Sequence, residues 1–548
     1  MIRNLLREKL EEALKEASYP NIEPEVLVST NPKFADYYSP VALKLAKALP
    51  DQSVSEIAKS LQAKLPADEK IYTAAIAPNG LVNFKIADEY LQSQIQKIVE
   101  EDTNFGKVDI GKNQKVQVEF VSANPTGPLT LGNGRGAFSG DTLANCLAFA
   151  GFEVEREYYI NDTGNQIKNL GDSVLKELGL GKENLDELYQ GDYVREISTE
   201  IKNGIDIESY KDKPIELGEK AARFILDTYI KPSLKKINIG FDHFVSEKSL
   251  HESGKVIATL DLLKKKNLAL EKEGAIWFSP KKPLGSKIGE ADRVLVRSEG
   301  GQNAPTYFLS DIAYHLDKFD RGFEKVINIW GADHAGYVPR MKLAMSELGF
   351  SDRVVIIITQ LVRLVENGKE VRVSKRAGRF ITLEELIDKT SLDAARFFFV
   401  SHAPNTHMDF DLNLARETSS KNPVFYVQYA HARCASLLKK AQKEGFSLAS
   451  ISKSDTSLLS RPEEIVLMKQ LLRLPELIED ISKNFAVHLL PAYTTQLADK
   501  LHRYYEREKI IGEKKEVTLA RLALITATKT LLRNSLQLMG ISAPEHMD

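Results

Sequence analysis

KVQVEFVSANPTGPLTLGNGRGAFSGDTLANCLAFAGFEVEREYYI, residues 115–160, decides the fold. Val116, Val118 and Phe120 alternate with Gln117 and Glu119, the period of a strand with one face in a core. A Pro- and Gly-rich loop runs from Asn124 to Gly134. A helix is predicted over Ala137–Ala150, with Gly151 placed to end it, and Glu153–Ile160 reads as a second strand. Strand, loop, helix and strand together form the unit of parallel sheets with right-handed crossovers.

A second such unit starts at Val326–Trp330, turns at Gly331-Ala332-Asp333-His334 and continues as a helix to Leu348, before a third strand at Val354–Thr359. The charged, often helical stretch between the units reads as an insertion at about 165–290 in a split, Rossmann-like domain spanning 113–395. Residues 1–110 form a separate α+β unit. Its predicted helices are Leu5–Ala17, Val41–Ala48 and Ser53–Leu65, and its strands Ile71–Ile76 and Leu81–Ile86 turn at Pro78-Asn79-Gly80. Gly106–Gln114 reads as a linker. From 396 to 548 an all-α helical bundle is expected, helical to the end after Asn422-Pro423. The fold class is therefore multidomain α/β.

Composition sets wide bounds. Of 548 residues, 43% are hydrophobic and 27% charged, as in an ordinary soluble globular protein. Two cysteines exclude a disulfide framework and a cysteine-based zinc site, and fit a reducing compartment. With no signal-peptide pattern at the N-terminus and no apolar run long enough to span a bilayer, a cytoplasmic location and no membrane partner are expected. The net charge of −2 neither argues for nucleic acid nor excludes it.

Gly132 and Gly134 stand where a strand gives way to a helix, so backbone N–H groups could approach a phosphate there. By themselves they are equally well a plain turn. The surrounding run, Glu119-Phe-Val-Ser-Ala-Asn124-Pro-Thr-Gly-Pro-Leu-Thr130-Leu-Gly132-Asn133-Gly134-Arg135, with Tyr158-Tyr159-Ile160-Asn161-Asp162-Thr163-Gly164-Asn165-Gln166, resembles the arginyl-tRNA synthetases of bacterial type. The resemblance implies a class I enzyme that makes arginyl-adenylate from L-arginine and ATP and transfers the arginyl group to the 3′-terminal ribose of tRNA(Arg). Mg2+ is expected with ATP, no protein-bound zinc is expected, and the chain is expected to be a monomer. The family loop carries His-x-Gly-His. Here Thr130, Leu131, Gly132 and Asn133 stand in its place, so Thr130 and Asn133 are the implied catalytic donors and carry no positive charge.

A guanidinium, planar and always charged, is best held by carboxylates. The resemblance points to Glu247 and Asp311 for that role and to Tyr307, four residues before Asp311 and so on one helical face with it. It also implies Glu119 and Asn124 for the substrate's α-amino and carboxylate groups, and His334 and Tyr337 as pocket residues. Gly331 and Asp333 are implied for the adenosine, Asp333 as an acceptor for ribose hydroxyls. Read alone, Glu247 and Asp311 are solvated surface acids and His334 is a capping histidine.

Arg372-Val373-Ser374-Lys375 resembles the second class I signature, Lys-Met-Ser-Lys. Arg372 is implied in ATP binding, and Ser374 and Lys375 in catalysis by neutralising the triphosphate. Near the C-terminus, Phe425-Tyr-Val-Gln-Tyr429-Ala-His431-Ala-Arg433 follows the family's anticodon-binding domain, so Tyr429, His431 and Arg433 are implied tRNA contacts, with Tyr504 and Tyr505 as further candidates. Two rivals stay open. One is a tRNA-binding relative without catalysis, motivated by the missing histidines. The other is a class I ligase for a different amino acid.

Overall fold

A computed structural model describes all residues except 32, 182–187, 205, 282–292, 300–301, 372–380, 513 and 548. The N-terminal unit combines the helices Ile2–Glu16, Val41–Ala48 and Val54–Lys64 with a four-stranded antiparallel sheet, and the helix Asp88–Glu101 that follows packs against the C-terminal helices. The sheet's strands are Leu27–Val28 (β1), Tyr37–Ser39 (β2), Tyr72–Ile76 (β3) and Val82–Ile86 (β4), in the order β1-β2-β4-β3. The β3–β4 hairpin and three of the helices stand where the periodicity puts them. The two short strands and the helix Asp88–Glu101 were not legible.

The decisive stretch forms the centre of a five-stranded parallel sheet. Its strands are Lys115–Glu119 (β5), Glu153–Ile160 (β6), His243–Ser246 (β7), and later Lys325–Gly331 (β12) and Val354–Thr359 (β13), in the order β13-β12-β5-β6-β7. The order reverses at β5, so the crossovers on its two sides diverge and open a crevice beyond the carboxyl ends of β5 and β12. Within the stretch read as an insertion the chain returns to the sheet as β7, paired in parallel with β6. Only then does it leave to build an antiparallel sheet from Ala269–Lys272 (β8), Ala275–Phe278 (β9), Val294–Glu299 (β10) and Gln302–Pro305 (β11).

The helix after β5 spans Leu131–Phe149 and starts six residues before the expected Ala137. Glycine-rich sequence looks like loop, but here glycine serves close packing inside a helix. A Cβ at Gly140 would lie 2.3 Å from the Phe120 ring, and one at Gly134 would lie 2.9 Å from Leu383.

Beyond β13, Val362–Glu366 (β14), Lys369–Glu370 (β15) and Met408–Asp411 (β16) make a small sheet, in which β16 runs parallel to β14. Residues 408–411 therefore belong with the catalytic side, and the helical bundle begins at Pro423, whose helix is capped by the Asn422 side chain. The bundle's long helices are Pro423–Lys443, Leu489–Arg507 and Lys515–Leu538. None of the described helices is long and apolar enough to cross a membrane.

Candidate active site

The two faces of the parallel sheet carry different chemistry. Val116, Val118, Tyr158, Ile327 and Ile329 are buried on one side. On the other, Asn328, Glu119 and Glu157 stand side by side across β12, β5 and β6, in register. Helix Tyr307–Asp320 lies over this polar row. Its residues at 311, 314, 315 and 318, spaced three or four apart, point at the sheet. Fully buried Lys318 donates to Glu119 Oε2 (2.6 Å) and to Asn328 Oδ1 (2.8 Å), with its ammonium 4.1 Å from the centre of the Tyr314 ring. Arg321 makes a bidentate contact to Glu157, which also accepts from Tyr314. Both sheet carboxylates are thus paired, as buried charges must be.

The same network fixes a histidine. Burial, followed by the charge of Lys318, pushes His315 down to about 3, so its ring is neutral. Its Nδ1 donates to the Asp311 carbonyl (2.7 Å), and its Nε2 accepts from the Asn328 amide (2.9 Å).

Above the row opens a cavity of about 670 Å³. Its floor begins with two consecutive non-glycine residues in the left-handed region, Val121 (φ 65°) and Ser122 (φ 36°). For a β-branched residue such a backbone is strained, and strain of this kind gathers at functional sites. Ser122 is held from two sides: its hydroxyl donates to Glu119 Oε1 (3.1 Å) and accepts from the Tyr159 amide (3.1 Å).

Glu119, Asn124, Glu247, Tyr307, Asp311, Gly331, Asp333, His334 and Tyr337 all line this cavity. They come from β5 and the loop after it, the end of β12 and the turn that follows, and the N-terminal parts of three helices, brought together only by the fold. Glu247 opens the helix Glu247–Glu252 and is buried, and its Oε2 has no hydrogen-bond partner. The Asp311 carboxyl accepts from the Tyr337 hydroxyl. Loss of water raises Asp311 most; the Tyr337 bond opposes this, and the charges of Glu247 and Glu119 add to it, leaving the group at about 7. Four acids around one cavity, Glu119, Glu247, Asp311 and Asp333, one of them with an unpartnered oxygen, form a site for a cation rather than an anion. Sequence reasoning did not single out Tyr159, Asn161, His315, Trp330 or Arg340, which also line it.

The comparisons agree with this geometry. Residues 94–405 match the family description "tRNA synthetases class I (R), catalytic domain", 4–86 match "Arginyl tRNA synthetase N terminal domain" and 427–547 match "DALR anticodon binding domain". Arginine–tRNA ligase from Carboxydothermus hydrogenoformans is 41% identical over 98% of this chain and 97% of its own length. Arginine–tRNA ligase 1 from Halalkalibacterium halodurans is 40% identical over 100% of this chain and 99% of its own. The chain belongs to the arginyl-tRNA synthetase family. The structure of Thermus thermophilus arginyl-tRNA synthetase aligns over the whole of both chains with a TM-score of 0.79 at 23% identity, which speaks to the fold alone.

In this arginyl-tRNA synthetase chain the first signature segment is a helix cap. Asn133 Oδ1 accepts from both the backbone N–H (2.9 Å) and the hydroxyl (3.0 Å) of Thr130. The carboxamide oxygen is thereby occupied, which leaves its NH2 as the group that can donate. Gly132 is exposed at this turn, whereas Gly134 is buried against Leu383 and Phe399, where its small size serves packing. Arg372, Ser374 and Lys375 lie outside the described residues. The chain just after them is fastened to the first signature: Leu383 N–H donates to the Leu129 carbonyl (2.9 Å), and Leu131 N–H to that of Ile381 (3.3 Å).

At the helical end the candidates separate. Tyr429 is 43% exposed, its ring roughly parallel to that of His502 at 6.0 Å, and the Arg433 guanidinium lies 3.6 Å from the centre of the Tyr505 ring. Two other candidates are corrected. His431 is buried, with Nδ1 bonded to the Pro544 carbonyl (2.8 Å), so it fastens the C-terminal tail and offers no face to a base. Tyr504 is fully buried in the bundle core.

Proposed function

We propose that the cavity holds L-arginine for activation by ATP and transfer to tRNA(Arg). A carboxylate oxygen of arginine attacks the α-phosphorus, pyrophosphate leaves, and a hydroxyl of the terminal tRNA ribose then attacks the arginyl carbonyl with release of AMP. Glu247 and Asp311 take the guanidinium, flanked by Tyr307 and Tyr337. Asn124 and Glu119 take the α-carboxylate and α-amino ends; Glu119 acts through the lone pairs left over from Lys318 and Ser122. Gly331 and Asp333 receive the ribose, and His334 lies at the rim. At the start of helix 131–149, Asn133 supplies a neutral donor to the α-phosphate through its carboxamide NH2, while Thr130 holds that carboxamide in place by donating to its oxygen. The helix N-terminus helps, with Gly132 leaving room for the phosphate. Arg372, Ser374 and Lys375 serve the triphosphate. Mg2+ enters with ATP; among the described residues no group of three or more His, Cys, Asp or Glu side chains is placed to hold a metal. Tyr429 and the Arg433–Tyr505 pair stack on unpaired anticodon bases.

The observation that carries this reading is the buried Glu247 oxygen without a partner, beside a second acid already satisfied by Tyr337. A neutral or apolar amino acid would leave Glu247 uncompensated. The test is charging of total bacterial tRNA with labelled arginine, with lysine and leucine as controls. Arginine-specific charging is expected. Retained tRNA binding without charging would favour the non-catalytic rival instead.

A further inference from the structure

The same cavity holds a second unpartnered acceptor. Along β6 and one residue past its end, Glu157, Tyr159 and Asn161 share a face, because strand side chains alternate. Glu157 and Tyr159 both meet Tyr314, the latter ring to ring at 4.4 Å, and Tyr159 and Asn161 reach the cavity. The carboxamide oxygen of Asn161 is buried without a hydrogen-bond partner, as are the Tyr159 hydroxyl and Glu247 Oε2. Buried polar atoms are rarely left so, and three lining one cavity call for a ligand rich in donors.

Asn161 is also held at a set place relative to Glu247. Its neighbour Asp162 accepts from the Ser246 hydroxyl (2.6 Å) and from the Lys248 backbone N–H (3.0 Å), the residues on either side of Glu247. The loop after β6 and the helix that presents Glu247 are thereby clamped together. A guanidinium has five donors in one plane, more than one carboxylate can accept. Glu119 is engaged by Lys318 and Ser122, and Asp311 by Tyr337 through one oxygen, whereas among the described residues Glu247 Oε2 and Asn161 Oδ1 are buried acceptors with no partner.

We propose that Asn161 is a specificity-determining residue for arginine, its carboxamide oxygen accepting from the guanidinium beside Glu247, and that Asp162 is the positioning residue that sets the two acceptors side by side. This rests on the assignment of the cavity to arginine. Lysine presents its three donors from a single nitrogen, whereas the guanidinium fork offers five in one plane to two adjacent acceptors, so the pair favours arginine over lysine.

The test uses the full-length protein with steady-state charging of tRNA. Asn161→Ala is expected to raise the arginine KM about 10- to 100-fold, the range for a hydrogen bond to a charged group, with the ATP KM and the melting temperature unchanged. Asn161→Asp, which keeps an oxygen at that place, is expected to stay near the parent and well below the alanine variant. Glu247→Gln serves as the reference for the pocket. An arginine KM that rises in Glu247→Gln but not in Asn161→Ala overturns the role of Asn161 and leaves the pocket standing. No change in either variant overturns the pocket itself. An aspartate variant as impaired as the alanine one also overturns the proposal, since an acceptor alone would then not suffice.

Discussion

The two faces of the parallel sheet differ in what holds them. On the face toward helix 131–149, Val118, Phe120, Ile327 and Ile329 are buried among apolar neighbours, and Gly140 lets Phe120 come close. On the face toward helix 307–320, Glu119, Glu157, Asn328, His315 and Lys318 are buried and, with Arg321, exchange hydrogen bonds. The first face gains from burial of area and tolerates swaps of similar volume. The second gains from exact pairing and tolerates almost none, because removing one partner strands the other. The ligand cavity opens on the second face, where donors and acceptors are already fixed in place.

The largest effect expected on the polar face is in ligand binding. Asp311→Ala and Glu247→Gln should each raise the arginine KM by about two to three orders of magnitude, at the about 3–5 kcal/mol for breaking a buried charge pair, while the ATP KM stays within a few-fold. Steady-state kinetics with each substrate varied in turn checks this, and an unchanged arginine KM would remove that residue from the pocket. Lys318→Met should cost about 3–5 kcal/mol of stability, read by denaturant unfolding, because Glu119 is left buried without its cation. A loss below about 1 kcal/mol would place that pair among interactions replaceable by apolar packing. Away from the sheet, Tyr429→Ala should weaken tRNA binding by about 1–3 kcal/mol with arginine-dependent steps intact, measured as tRNA Kd by filter binding.

A smaller effect comes from pH. Asp311 sits at about 7, so its ionised fraction rises between pH 6 and pH 8. The ionised form attracts the guanidinium, and the arginine KM should fall as pH rises through that window. Asp311→Asn should flatten this slope. The sign for stability is opposite. A carboxyl raised in the folded state stabilises the empty protein at low pH, and that contribution is lost as pH rises from the ordinary carboxylate range through about 7. The smallest change belongs to the apolar face: Ile327→Val should cost about 0.5–1.5 kcal/mol and leave the arginine KM untouched. A shift in that KM would mean the two faces are coupled through the sheet.

Much of the architecture was legible because it is local. Alternation at 116–120 gives β5, and the turn at Asn79-Gly80 gives the β3–β4 hairpin. What escaped was set by partners far away. The helix start at Leu131 was hidden by glycines whose purpose is contact with Phe120 and Leu383. β7 is four residues long and joins β6 from a distance, so nothing in its own pattern reveals which sheet it enters.

The sequence by itself determined the strand–helix–strand nucleus, the separate N-terminal unit and the helical C-terminal region, since periodicity is carried by neighbouring positions, and its motifs carried the resemblance to the family. That resemblance pointed to nine residues that line one cavity. Only the tertiary structure decided which charges are spent on one another. Lys318 and Glu119 are 199 positions apart, and their pairing depends on the register of β5 beneath helix 307–320. The burial of His431, the exposure of Tyr429 and the unpartnered oxygens of Glu247 and Asn161 were decided there too. Burial and pairing are properties of surfaces brought together, and residue type sets only what each surface can offer.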